Sequence, residues 1–262
     1  MKKLLPILLA ISLCTSSCSN YEAPAPDSDQ MVMATLWFQH SAEARAMYYQ
    51  GYNIAQLRVE QALDTLPADL KLAVVADIDE TILDNSPSEG KNILEGERYS
   101  SDRWTDWTSK SSAHALPGSL EFAQFLQNKG VDLYYISNRS VNELDATLAN
   151  LKALNYPFAD KEHILLKSDA STKTPRREIV MKTHHIILLL GDNLNDFSDL
   201  FENREVNKGF NTVDQLSEEF GKRFIILPNP LYGSWTKPIY GSTSKLTPAE
   251  TANKKRSFVT DY

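Results

Sequence analysis

Apolar positions follow two rhythms along the 262-residue chain. Between residues 31 and 63, Met33, Trp37, Ala44, Tyr48, Ala55, Val59 and Leu63 recur near helical spacing. That spacing puts them on one face, so the stretch reads as one long helix or two shorter ones. Leu66-Pro67 ends it, since proline restricts the residue before it and cannot continue a helix. Beyond lie continuous apolar runs at 72–76, 131–136, 163–166, 186–190 and 224–227, each short enough for a strand. Helical patterns separate them. Ser119 opens a helix that stops near Gly130. Ser140 and Glu143 form a capping-box pattern ahead of Leu144, Leu148 and Leu151. Thr174-Pro175 reads as an N-cap followed by proline, and Thr212 with Gln215 reads as another capping box. Strands apolar throughout, alternating with helices, imply an α/β fold with a parallel sheet covered on both faces.

Residues 80–116 break this rhythm. They are polar, carry Tyr99, Trp104 and Trp107, and read as an insertion over the sheet edge. The tail at 236–262 shows no clear periodicity. No internal repeat is evident.

Composition changes the picture at the N-terminus. Lys2 and Lys3 precede an apolar run, Leu4 to Leu13, that is too short to span a bilayer. Thr15-Ser16-Ser17-Cys18 follows. Small residues before a cysteine resemble a bacterial lipoprotein signal, although Thr15 stands where Leu is usual. The division is then a signal peptide at 1–17, a lipidated tether at 18–30 with Pro24 and Pro26, and a helical segment at 31–66. The competing reading is an ordinary secretory signal with an incidental cysteine. Cys14 and Cys18 are the only cysteines, so removal of 1–17 leaves no intrachain disulfide. The net charge of −7 argues against nucleic acid as a partner. It leaves room for a small anion held by a local metal and lysine.

Candidate chemistry gathers where strands end, the rim at which open parallel sheets bind ligands. Asp77 and Asp79 follow the first strand, and Ser137-Asn138-Arg139 follow the second. Lys173 lies beyond the third, and Gly191-Asp192-Asn193-Leu194-Asn195-Asp196 follow the fourth. Singly, each also reads as an acidic turn, a helix-entry loop or a solvated lysine. Together, in this order, they fit phosphoryl transfer. A phosphate dianion repels a carboxylate nucleophile, so a divalent cation must neutralise the charge. Oxygen ligands suit Mg2+, with Asp77 and Asp192 supplying carboxylates. The Ser137 hydroxyl and Lys173 ammonium would hold the phosphate oxygens. A free Asp has a pKa near ~3.9, so Asp77 should be ionised over most of the pH range. Asp79, held protonated, would act as the acid.

The order Asp77-Ile78-Asp79-Glu80-Thr81, Ser137, Lys173, Gly191-Asp192-Asn193 with Asp196 resembles the haloacid dehalogenase superfamily. More narrowly, those segments together with Asp84-Asn85-Ser86-Pro87, Trp104 to Trp107 and Leu227-Pro228-Asn229-Pro230 resemble the class C acid phosphatases. The resemblance runs from about the first helix to Trp235. It implies a Rossmannoid parallel sheet with helices on both faces, a small cap-like insertion at 80–116 and a phosphatase domain at 67–235. It also implies a bacterial, lipid-anchored envelope enzyme, outer-membrane in type, that hydrolyses phosphomonoesters with Mg2+. Nucleoside 5'-monophosphates would be its substrates, and a homodimer is its possible assembly. By resemblance, Asp77 becomes an aspartyl phosphate. Asp79 protonates the leaving alcohol, then activates water, and its carbonyl joins Asp77 and Asp192 on the metal. Asp196 supports the metal waters and Lys173. Asn138 and Arg139 contact substrate, while Trp107 and Tyr232 grip a ring. Ser88 stands where an aromatic is expected. The rival readings are a related phosphomutase, and a surface adhesin or heme-binding lipoprotein with a vestigial site.

Overall fold

The computed structural model describes residues 31–262 apart from Ser244. The signal, tether and Cys18 expectations lie outside the described residues. The helical segment is two helices, α1 (Val32–His40) and α2 (Ala42–Thr65). Ser41 divides them: its backbone is extended and its Oγ accepts from the Ala44 N–H, capping α2. Strand β1 (Leu72–Ala76) comes next. The inserted segment contains β2 (Leu83–Asp84), α3 (Ser86–Glu95), α4 (Ser101–Ser109) and β3 (His114–Ala115). The chain then alternates through α5 (Ser119–Lys129), β4 (Asp132–Ser140), α6 (Leu144–Ala153), β5 (Ile164–Lys167), α7 (Thr174–Met181), β6 (His185–Gly191), α8 (Phe210–Gln215) and β7 (Phe224–Ile226). Two further helices follow, α9 (Lys237–Tyr240) and α10 (Pro248–Arg256).

The five long strands form one parallel sheet in the order β5-β4-β1-β6-β7. β1 is central, which puts its C-terminal end between the tips of β4 and β6. Successive side chains leave opposite faces. Val74, Ala76, Leu133, Tyr135, Leu188 and Leu190 pack under Tyr52 and Val59 of α2, Phe122 of α5 and Leu151 of α6. Ala73, Val75, Tyr134 and Ile136 face the other way, against Val180 of α7. Burial on both faces explains why β1 carries no polar residue, while Ser137, Asn138 and Arg139, expected to follow the second strand, lie within the C-terminal end of β4. Leu133, Ile136, Leu188 and Leu190 are at most 1% exposed, and each contributes roughly 1.5–3 kcal/mol by leaving water.

Three local expectations are corrected. Thr174 is the first residue of α7 and Lys173 takes the N-cap position, so proline falls one place further in. Thr212 lies inside α8, whose N-cap is Gly209 at φ +86°, so Thr212 and Gln215 make no capping box. The tail is ordered by its own signals: Thr247 and Glu250 form a capping box for α10, and Thr251 and Ala252 are buried. Its short helices were masked by a sequence with few apolar residues. The Ser140–Glu143 capping box is present, on a 3-10 turn leading into α6. No described helix is long and apolar enough to cross a membrane.

α2 also builds the site from behind. Tyr48 and Tyr52, four residues apart and so on one face, donate their hydroxyls to the Glu80 and Thr81 carbonyls at 2.6 Å each. Tyr48 further reaches the Pro228 carbonyl at 3.1 Å. The loop after β1 is thereby anchored to a helix that packs beneath the sheet.

Candidate active site

Asp77 leaves the end of β1 with its N–H donated to the Leu190 carbonyl at 3.0 Å, a continuation of the ladder with β6. This fixes the carboxylate at the rim. Asp192 follows β6 directly, and Asp196 closes a capping box with Asn193, whose N–H donates to Asp196 Oδ2 at 3.0 Å. Oxygens of Asp77, Asp192 and Asp196 lie within 4.8 Å of one another. Gly191 makes the approach feasible: a Cβ there would come within 2.7 Å of three Asp196 side-chain atoms. Lys173 is 4% exposed, contacts Asp77 Oδ1 and pairs with Asp196 Oδ1 at 2.7 Å. The sequence-predicted quartet of Asp77, Lys173, Asp192 and Asp196 is therefore one cluster.

Its electrostatics are unbalanced, with three carboxylates facing one ammonium. Burial pushes the Asp77 carboxyl up to about 7, against the lowering effect of Lys173, and Asp196 and Asp79 add to the rise. Without a bound cation, the Asp77 carboxyl therefore keeps its proton to a higher pH than a free side chain. Burial likewise raises Asp192 well above the usual carboxylate range, with Asp196 and Asp77 next in importance. Burial opposes the charge on Lys173, but Asp196 and Asp77 outweigh it and hold its pKa high. A hard divalent cation is the chemical complement of this donor set: it would restore both carboxylates to their charged forms.

Asp79 sits in a different network. Arg139 forks onto it, with Nη2 at 2.8 Å and Nε at 2.9 Å from Oδ1. Ser137 Oγ donates to its Oδ2 at 3.1 Å, and Asn85 Nδ2 to Oδ1 at 2.8 Å. Three of the predicted site residues meet here. Asp79 is held in a salt bridge with Arg139. Arg139 is buried behind it, pairs with that carboxylate and also borders the site cavity. Ser137 is fully buried and spends its hydroxyl on Asp79. Asn138 is exposed beside the cavity, yet its Oδ1 accepts from Arg176 at 2.7 Å.

Above the cluster lies a cavity of about 510 Å3, bounded by Asp77, Asp192, Asn138 and Ser88 and walled by Tyr99, Trp104 and Tyr232. Tyr232 holds its place by donating to Glu80 Oε2. Trp107 is not part of this wall. Its indole N–H donates to Asn85 Oδ1 at 2.8 Å and its ring packs against the core. The expected aromatic pair is corrected: Trp104 and Tyr99 meet the cavity, and Trp107 braces the insertion. Trp104 also lies over the Arg139 guanidinium, 5.8 Å from ring centre.

The family model described as "HAD superfamily, subfamily IIIB (Acid phosphatase)" matches residues 10–235. The chain belongs to this family. It is similar to the class C acid phosphatase of Bacillus anthracis, with 42% identity, coverage of 90% of this chain and 99% of that one, and a TM-score of 0.85. A structure of that enzyme with tungstate bound gives 43% identity over 90% and 98% of the two chains, also at TM-score 0.85. More distant is the Stem 28 kDa glycoprotein of Glycine max, 26% identical over 74% of this chain and 69% of that protein. Acid phosphatase 1 of Solanum lycopersicum is 25% identical, and the match spans 57% of its length. The chain is thus an acid phosphatase of class C, with an Asp cluster suited to a metal.

Several residues of this acid phosphatase site escaped sequence reasoning. Asn85 bridges Asp79, Trp107 and Arg139. Glu80 is fully buried, and it ties the Asn85 N–H to the Tyr232 hydroxyl. Asn229 Nδ2 donates to Asp192 Oδ2 at 2.7 Å. All three lie within segments that carried the family resemblance, and that was the available signal.

Proposed function

We propose that this acid phosphatase works through a phosphorylated Asp77, with Mg2+ as its metal. The observation that carries the reading is the buried cluster of Asp77, Asp192 and Asp196 with Lys173 against Asp77. Asp77 Oδ is the carboxylate at the centre of the rim, so it attacks phosphorus and takes the phosphoryl group from the alcohol. Lys173 holds phosphoryl oxygens and offsets their charge. Asp79, protonated as the substrate binds, gives that proton to the leaving oxygen and regains one from the water that frees phosphate. Arg139 and Asn85 orient that carboxylate. Asp77 and Asp192 would hold the cation, with Asp196 beside them; when bound it supplies charge neutralisation between nucleophile and phosphate. The test is phosphate release from a panel of monoesters. Excess chelator should remove activity, and Mg2+ should restore it. Turnover that survives chelation contradicts the reading.

Nucleoside monophosphates suit the walls of the cavity, because Trp104, Tyr99 and Tyr232 offer rings for a base to stack on. For the N-terminus, Lys2, Lys3, the apolar run and Cys18 support a lipid anchor on the outer membrane. Membrane fractions should lose the protein, with its activity intact in solution, when Cys18→Ser is expressed. Retention of that variant in membranes overturns the anchor.

A further inference from the structure

Two consecutive arginines at the start of α7 are used by no step above. Arg176 and Arg177 are 8% and 7% exposed, an unusual depth for guanidinium groups. Arg176 makes hydrogen bonds to four neutral oxygens. Nη1 donates to the Ser137 carbonyl; Nη2 donates to Asn138 Oδ1 at 2.7 Å and to the Ser171 and Thr172 carbonyls at 3.2 and 3.0 Å. Burying a cation against neutral acceptors is costly in itself, and burial lowers its pKa. Arg177 turns the other way. Its Nη1 donates to the Asp196 carbonyl at 2.9 Å, and Nη2 donates to Thr174 Oγ1 and pairs with Asp199 at 3.6 Å.

The topology gives this split a meaning. α7 packs on β4 and β6, the strands on either side of β1. Arg176 therefore reaches the β4 tip, and Arg177 reaches the loop after β6. Lys173 stands just before the helix, at the end of a stretch after β5 that contains no helix or strand. Arg176 grips that stretch through the two residues preceding Lys173. We propose that Arg176 and Arg177 are positioning residues that staple the Lys173 loop to both neighbouring strand tips and so fix its ammonium between Asp77 and Asp196. Lysine cannot replace either one, because a single ammonium does not span acceptors laid out for a planar fork.

The test is a double-mutant cycle with inorganic phosphate as the probe. In the Mg2+-loaded enzyme, Arg176→Ala should weaken inhibition by phosphate and lower kcat/KM, each by about 10- to 100-fold, the scale for residues that orient a functional group. In a Lys173→Ala background the same change should cost about twofold or less, because the ammonium it positions is gone. A merely structural arginine would lower the melting temperature and leave that coupling at zero. Equal losses in both backgrounds overturn the proposal. Should Arg176→Ala not fold, Arg176→Lys and Arg177→Lys serve in its place: wild-type phosphate inhibition in the folded lysine variants also overturns it.

Discussion

The charged centre and the aromatic wall of the same cavity are placed by different means. Asp77, Asp192 and their neighbours hang from the ends of adjacent strands, so the ladder between β1 and β6 sets their separation. Tyr99, Trp104 and Trp107 hang from an insertion whose helices are short, and whose orientation is set by side-chain clasps. Thr108 Oγ1 donates to Glu143 Oε1 at 2.7 Å, and Arg103 Nε to Asn92 Oδ1 at 2.6 Å. Trp104 and Trp107 are one helical turn apart, and these contacts, with the Trp107 bond to Asn85 and the Arg103–Glu95 and Lys91–Asp106 pairs, decide which ring meets the cavity. A sheet rim thus positions chemistry with little tolerance, whereas an insertion can exchange one aromatic for another.

Substitution in the wall separates the two regions most clearly. Trp104→Ala should raise KM for nucleoside monophosphates about 5- to 150-fold, as a stacked base loses ~1–3 kcal/mol. A ringless monoester should keep its KM, and kcat should hold for both, since the contact is equal in ground and transition states. Trp107→Ala should instead lower melting temperature and affect ringed and ringless substrates alike. The reverse pattern, with selectivity lost at Trp107, would break the distinction between wall and brace.

The charged centre gives a smaller effect, visible in stability. Burial raises the Asp77 pKa to about 7, so without metal the folded protein keeps a proton that the unfolded chain releases. Folding then binds more protons, and stability falls as pH rises through the window from the unfolded value up to about 7. Asp77→Asn lacks this titration. In chelator, the melting temperature of the wild type should therefore drop relative to Asp77→Asn over that window, and Mg2+ should cancel the drop. Parallel curves for the two proteins would mean that Asp77 is charged without help.

Legibility follows the same division. The strands were legible because burial on both faces leaves uninterrupted apolar runs, as in β1 and β6. The rim residues were legible because they follow those runs directly. Lys173 was found as a residue, but not its N-cap role, since nothing in Thr174-Pro175 says which residue takes the cap. The partners of Asp79 are not legible because Arg139, on β4, faces a carboxylate sixty residues away in sequence, in the loop after β1. Arg176 and Arg177 left no signal at all: arginine in a helix reads as solvated until the packing of α7 is known. Which of Trp104 and Trp107 meets the cavity is not legible without the clasps that turn α4.

The most direct measurement is chemical trapping of the phosphoryl-enzyme. Enzyme with Mg2+ and a phosphomonoester is quenched in acid within a turnover, digested and analysed by mass spectrometry. The account predicts a phosphoryl group on Asp77, lost on treatment with base or hydroxylamine as an acyl phosphate should be, and absent from Asp77→Asn. A phosphoryl group on another residue, or an Asp77→Asn enzyme that still turns over at the wild-type rate, would contradict it.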